Sequence, residues 1–303
     1  MKVYQLPHDL SAGLPVPEGE VVIRAYHSNH NALKNRIVLH QNMINLLVSG
    51  TKTVVNADGR TTVHEDELLV LSTGNCLTTE VRSGHTDFSS IILYCSNEAL
   101  TDFFVKYAHL DGQVPDHIPA DQPFLVFKQD AFIVHYRQSL DLLLKRGEPM
   151  SKEMKQLKLE ELLLHLLQHD PRRLKSLKRM AKNDEDLQMR KAMEGNVRNS
   201  ITIEELAFLC NCSLSTFKRR FAKIYGTSPQ KWLLEQKMQV AAGLLRHPDE
   251  RPGRVYLKVG YEDHSSFSKS FKLIHGMTPK EFQAQNGERP TPDDALPFRK
   301  LRQ

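Results

Sequence analysis

Thr216-Phe-Lys-Arg-Arg-Phe-Ala-Lys-Ile-Tyr-Gly-Thr-Ser-Pro229 and Ser266-Phe-Ser-Lys-Ser-Phe-Lys-Leu-Ile-His-Gly-Met-Thr-Pro279 spell one pattern twice, fifty residues apart. Phe217 corresponds to Phe267, Phe221 to Phe271, Arg219 to Lys269, Gly226 to Gly276 and Pro229 to Pro279. Aromatic residues four apart fall on one face of an α-helix, so each copy predicts an amphipathic helix with its phenylalanines inward. In the first copy Thr216, Lys218, Arg219, Arg220 and Lys223 are then left pointing outward. The glycine predicts a left-handed stop, because a residue without Cβ adopts that backbone freely. Ser228-Pro229 and Thr278-Pro279 predict an immediate restart, with the hydroxyl as N-cap and proline at the first helical position. A duplicated amphipathic helix with a basic face is a device for gripping something twice.

The flanks extend each copy into a three-helix unit. Thr202 is placed as the N-cap of a short helix, with Glu204 and Glu205 in its favourable first turn and Leu206, Ala207 and Leu209 inward. Asn211 and Cys212 make a turn, Ser213 opens the patterned helix, and small Ala207 lets the two helices cross closely. From Ser228-Pro229 a helix runs through Trp232, Leu233, Met238, Ala241, Ala242, Leu244 and Leu245. As one straight rod of roughly seventeen residues it spans about 25 Å. The second unit reads as Val255–Val259, a turn at Gly260–His264, a helix over Ser265–His275, and a closing helix with Phe282 inward. Pro252-Gly253 is expected to shorten the first of these helices. The sum is two helix-turn-helix units on a rod, near the ~34 Å that separates successive major grooves on one face of DNA.

Charge agrees with that partner. The chain has 303 residues and a net charge of +5. Residues 185–285 hold 16 Lys/Arg against 11 Asp/Glu, so the whole surplus falls on the segment that carries the repeat. Length allows two domains, 40% hydrophobic and 25% charged residues are ordinary for a globular protein, and no apolar run reaches a membrane span. The N-terminus lacks an apolar signal core, so the chain is expected to stay in the cytoplasm. Cys76, Cys95, Cys210 and Cys212 lack zinc-ligand spacing and read as reduced thiols.

The front half changes period once. Val21–His27, Asn45–Ser49, Lys52–Asn56, Arg60–His64, Leu68–Leu71 and Ser89–Cys95 are short runs rich in β-branched residues, separated by turn residues such as Asp58-Gly59. They favour an antiparallel barrel or sandwich, and of the two a cupin-like β-barrel is expected. Glu98–His109, Asp130–Arg146 and Ser151–His169 then show helical spacing. The third is apolar on too many sides for one partner: it is either buried inside one domain or a dimer seam, and Leu159, Leu162, Leu163 and Leu166 are expected to line such a seam. The fold class is therefore α+β. The barrel covers 1–97, a helical dimerisation segment 98–169, a polar linker 170–186, an all-α DNA-binding domain 187–285, and a proline-bearing tail 286–303.

Leu206-Ala207, Ser213, Phe217, Arg219, Phe221, Gly226, Ser228-Pro229, the Lys237…Ala241…Leu244-Leu245 run, Val259-Gly260-Tyr261, Asp263, Ser266-Phe267, Phe271-Lys272, Gly276 and Thr278-Pro279 stand in one register across both units. On these residues 201–285 resemble the C-terminal domain of AraC/XylS-family transcription regulators. Lys158-Leu-Glu-Glu-Leu-Leu-Leu164 resembles the dimerisation helix of members akin to the activators of type III secretion operons. The resemblance implies a homodimeric, activating regulator that binds double-stranded promoter DNA and works with RNA polymerase. It places Ser215, Lys218 and Arg219 from the first recognition helix, and His264, Ser265, Ser268 and Lys269 from the second, on base edges. Arg219 is the strongest of these, since a guanidinium pairs bidentately with guanine. Arg220, Lys223 and Lys272 are expected on phosphates. Three departures stand out: Tyr256 occupies a usual alanine position and must tilt its helix or point outward, Pro252-Gly253 is expected to shorten the start of the same helix, and Lys237 replaces a common arginine and loses its planar fork.

The rival from another class is a metal-dependent cupin enzyme with an accessory DNA-binding domain. His27, His30, His40, His64 and His85 lie in the strand region without the paired spacing a cupin metal site needs, so no metal and no cofactor are expected. No Ser-His-Asp pattern or phosphate-cradling glycine loop is present, and no catalysis is expected. The front domain is instead expected to bind a small effector, with Arg24, Tyr26 and His40 in its pocket, or a regulatory protein.

Overall fold

The computed structural model describes residues 2–10, 19–110, 124–175, 185–247 and 249–286. Most of the expected linker and nearly all of the expected tail lie outside the described residues. The chain divides into two compact units, Met1–Ala192 with Leu209–Asn211, and Met193–Phe208 with Cys212–Gln303. No described helix is long and apolar enough to cross a membrane.

Among the described residues the front unit is built on ten strands: β1 (Val3–Leu6), β2 (Val22–Ser28), β3 (Ala32–Leu39), β4 (Asn42–Ser49), β5 (Thr51–Asn56), β6 (Gly59–Val63), β7 (Glu67–Leu71), β8 (Gly74–Val81), β9 (Phe88–Cys95) and β10 (Leu125–Lys128). They form two five-stranded sheets, in the orders β1-β3-β8-β5-β6 and β10-β7-β4-β9-β2. The two orders share no strand, so the expected closed barrel is a pair of sheets among the described residues. One ladder also departs from the antiparallel expectation, because β1 runs parallel to β3. The expected hairpin forms with its turn one residue earlier, at Ala57-Asp58, and Asn56 pairs with Gly59 across it.

Helices α1 (Asn97–Lys106), α2 (Ala131–Lys145), α3 (Lys152–His169) and α4 (Pro171–Lys175) lie in the same unit. Ser96, Asp130 and Ser151 cap the first three, each side chain accepting a backbone N–H three residues on. The second sheet is covered on both faces, which is why β4 and β9 are apolar nearly throughout. Met43, Leu47, Leu69, Leu71, Ile92 and Tyr94 face the first sheet. Their neighbours Ile44, Leu46, Leu68, Val70, Ile91 and Leu93 face the helices, against Phe103, Tyr136, Leu140, Leu159 and Leu163. Cys76 and Cys95 are caught in these cores, and burial pushes both thiols up to about 12, which leaves them protonated and inert.

The second unit is helical: the end of α5 (Glu185–Gly195), then α6 (Ile203–Leu209), α7 (Leu214–Tyr225), α8 (Pro229–Leu245), α9 (Pro252–Lys258), α10 (His264–His275) and α11 (Pro279–Asn286). The rod α8 has 17 residues, which gives it a length of about 25 Å. Its second half, through Met238, Ala241, Ala242 and Leu245, packs with Val255, Val259, Phe267 and Phe271. Its first half meets α7, where Trp232 lies 5.9 Å from the Phe221 ring and 5.2 Å from Tyr225. The two ends of one helix therefore carry the two copies of the pattern.

Candidate nucleic-acid interface

The two copies share their scaffold down to single hydrogen bonds. In α7, Ser213 accepts the Thr216 N–H at 3.2 Å, and Gly226 at φ 67° donates its N–H to Ala222 at 2.9 Å. In α10, Asp263 accepts the Ser266 N–H at 2.7 Å, and Gly276 at φ 76° donates to Lys272 at 2.8 Å. Phe217, Phe221, Phe267 and Phe271 are all fully buried. The helix before α7 and the helix after α10 are opened by reciprocal caps. Glu205 N–H donates to Thr202 Oγ1 at 3.1 Å while Thr202 N–H donates to Glu205 Oε2 at 2.9 Å. Thr278 and Glu281 repeat that box at 3.3 and 2.7 Å.

With the aromatic faces buried, the residues expected on DNA are left outward. Ser215, Lys218, Arg219 and Lys223 are exposed on α7, and Arg220 is half-buried. His264, Ser265, Lys269 and Lys272 are exposed on α10, and Ser268 is half-buried beside the His264 ring, at 3.5 Å from its Nδ1. Among the described residues Lys218, Arg219 and Lys223 make no hydrogen bond or ion pair within the protein, so their charges face outward uncompensated. Such a row of free cations on a helix suits phosphate and base-edge acceptors.

Three expectations about the second unit resolve differently. Pro252 takes the first position of α9 and starts it rather than shortening it, as its missing N–H allows. Tyr256 sits half-buried at the edge of that unit's core, where its ring meets His264 edge-on at 5.8 Å. Lys237 is a clamp in the interior. It is 8% exposed, its ammonium donates to the carbonyls of Asn199 at 3.1 Å and Gly260 at 3.5 Å, and it lies 5.5 Å over the Tyr261 ring. Burial holds its ammonium below the ordinary lysine range. Two single carbonyls need no planar fork, so an ammonium serves here. Gly260, at φ 72°, fits because a Cβ would lie 2.7 Å from the Arg198 carbonyl oxygen.

Residues 42–177 match the family described as the ExsA N-terminal regulatory domain, and residues 206–285 match a helix-turn-helix domain. The chain belongs to the AraC/XylS family of transcription regulators. It is similar to the virulence regulon transcriptional activator VirF of Yersinia enterocolitica, with 24% identity over 250 residues, 81% of this chain and 90% of VirF. It is likewise similar to the transcriptional regulator ExsA of Pseudomonas aeruginosa, with 25% identity over 267 residues, 86% of this chain and 92% of ExsA. An apo structure of ToxT from Vibrio cholerae aligns with 88% of this chain and 97% of its own, at 10% identity and a TM-score of 0.40.

In the front half of this AraC/XylS-family chain the expected site residues scatter. Tyr26 lines a cavity of about 260 Å³ with Lys52, Glu80, Ile37, Met43 and Ile92. His40 lies elsewhere, bonded through Nε2 to Gln5 at 2.6 Å and lining a separate open crevice with His8 and Gln41. Arg24 lines neither and donates to the Ile23 carbonyl at 3.2 Å. The leucines expected in a dimer seam are consumed by the core: Leu159, Leu162 and Leu163 are 0% exposed and Leu166 is 3%. Helix α3 is apolar on several sides because it lies under the second sheet and against α1 and α2.

The cavity also holds residues that the sequence reading passed over. Lys52 and Glu80 stand opposite each other on β5 and β8, buried, with Nζ 2.9 Å from Oε1. Tyr26 on the other sheet donates its hydroxyl to Glu80 Oε2 at 3.0 Å. Burial, then the Glu80 charge, pushes the Tyr26 phenol well above its ordinary range. The sequence did hold a clue, since Lys52 and Val54 share a strand face and Val54 is plainly a core residue.

Proposed function

We propose that α7 and α10 enter successive major grooves of promoter DNA, and that the chain acts as a transcriptional activator. Ser215, Lys218 and Arg219, and His264, Ser265, Ser268 and Lys269, contact base edges. Arg220, Lys223 and Lys272 hold phosphates. The reading rests on one observation: two helices with buried phenylalanine pairs and outward cations sit at the two ends of one 17-residue rod. The DNA-binding domain is taken as 187–285, the front as the regulatory part, and the working form as a cytoplasmic homodimer that recruits RNA polymerase. With the leucine face of α3 buried, Met154 and Leu157 are the exposed apolar side chains left on that helix for a partner.

A salt titration with the full chain tests the DNA reading. Binding to a site selected from the host's promoters should exceed binding to random DNA by at least about 10³-fold at physiological salt. Equal binding to both, with the same salt slope, would reduce the protein to a phosphate binder. For the front unit, the cavity around Lys52, Glu80 and Tyr26 supports a small polar effector. A thermal shift produced by metabolite fractions, and lost in Tyr26→Phe or Lys52→Met, is the expected result. A co-purifying protein with no such shift would favour a docking surface instead.

A further inference from the structure

The histidines weighed in the sequence sit in the strand region, yet a different group converges among the helices of the front unit. Asp130 caps α2 by accepting the Ile133 N–H on Oδ1 at 2.9 Å. Its other oxygen, Oδ2, lies 2.7 Å from Nε2 of His165, and His169 follows one turn later on α3. Ligand atoms of Asp130, His165 and His169 all lie within 4.8 Å of one another.

Local structure aims these three groups. Histidines at i and i+4 project from one helix face, the spacing by which paired imidazoles reach one ion. His169 Nδ1 is 2.9 Å from the His165 carbonyl oxygen. A carbonyl only accepts, so Nδ1 carries the proton and Nε2 keeps its lone pair. That second bond is the orienting contact metal-bound histidines ordinarily have. His165 is 9% exposed, with Phe132 stacked on its ring at 4.1 Å and the His169 ring also at 4.1 Å. Burial raises the Asp130 carboxyl, but the Ile133 N–H and the His165 ring together hold it below its ordinary range.

We propose that Asp130, His165 and His169 form a binding site for one divalent transition-metal ion of the zinc class. His165 and His169 bind through Nε2, Asp130 through Oδ2, and water fills the remaining position. Bonds of about 2.0–2.2 Å put tetrahedral ligands about 3.4 Å apart. The 2.7 Å pair therefore opens slightly, and the exposed His169 ring swings inward. The ion takes the place of the hydrogen between His165 Nε2 and Asp130 Oδ2, and the neutral imidazole then carries its hydrogen on Nδ1. Two imidazoles and one carboxylate favour zinc, cobalt or nickel over magnesium and calcium. Once bound, the ion ties the first turn of α2 to the last turn of α3.

Calorimetric titration of the full chain with Zn²⁺ tests the site. The expected result is one equivalent that weakens by more than about 10-fold in Asp130→Asn and in His169→Ala and is unchanged in His135→Ala. Asparagine still caps a helix, and His169 is exposed, so both variants should fold. Substituted Co²⁺ should show ligand-field bands without a thiolate charge-transfer band, and His169→Ala should abolish them. Zinc binding that is absent, or equal in wild type and His169→Ala, would overturn the proposal.

Discussion

The two helix-turn-helix units keep the same inside and present different outsides. Both bury a phenylalanine pair, stop at a left-handed glycine and restart at Ser-Pro or Thr-Pro. Outward, α7 carries Lys218, Arg219, Arg220 and Lys223, whereas α10 carries Lys269 and Lys272 beside exposed Leu273 and Ile274. Their leading helices differ as well. Thr202 and Glu205 cap α6 reciprocally, while Arg251 at the start of α9 makes no side-chain cap. The second unit has a compensation the first lacks, in Lys237 tying its turn to the segment before α6. The two copies share the residues that fold the unit and differ in those proposed to meet DNA. A DNA site read by this chain should therefore have one strongly charged half and one that depends more on shape and apolar contact.

The scaffold equivalence can be broken first, where the effect is largest. Phe221→Ala and Phe271→Ala should each cost about 3–5 kcal/mol of stability in denaturant titrations. A difference between them of more than about 2 kcal/mol would mean the two cores are not equivalent. Glycine substitutions sharpen the contrast. Gly260→Ala forces a Cβ against backbone atoms and should cost more than the ~1–3 kcal/mol of left-handed strain alone. Gly226→Ala, where nothing lies within 4 Å, should cost only about 1 kcal/mol. In binding assays, Arg219→Ala should relax specificity by ~1–3 kcal/mol at one base pair. Lys269→Ala, at the matching place, should lose less. A uniform loss over all sequences for Arg219→Ala would move that residue to the phosphates. Smallest is the cap: Thr202→Ala should cost about 1 kcal/mol, and Arg251→Ala close to nothing.

What was legible in the sequence followed from local chemistry. Asp130, Ser151, Ser213 and Ser228 announced helix starts because short polar side chains there satisfy free N–H groups. The paired phenylalanines, their glycine stops and the outward cations were equally plain. Strands were harder. β3 hides behind Lys34, Asn35 and Arg36, and β8 begins at Gly74-Asn75, which reads as a turn. β1 and β10 are four residues each and take their structure from the strands they pair with. The leucines of α3 misled because an all-round apolar helix looks alike whether a second copy or its own sheet covers it. Lys52, Glu80, Asp130 and His165 were invisible as groups, since only the fold brings residues 28 or 35 positions apart into contact.

The second sheet of the front unit is a party wall. Ile92 helps enclose the cavity around Lys52, while Ile91 and Leu93, one peptide to either side, support the helical layer. Protein interiors pack as densely as organic crystals, so such a partition has no slack to absorb a new occupant. Whatever swells the chamber on one side has to be felt as pressure by the helices resting on the other.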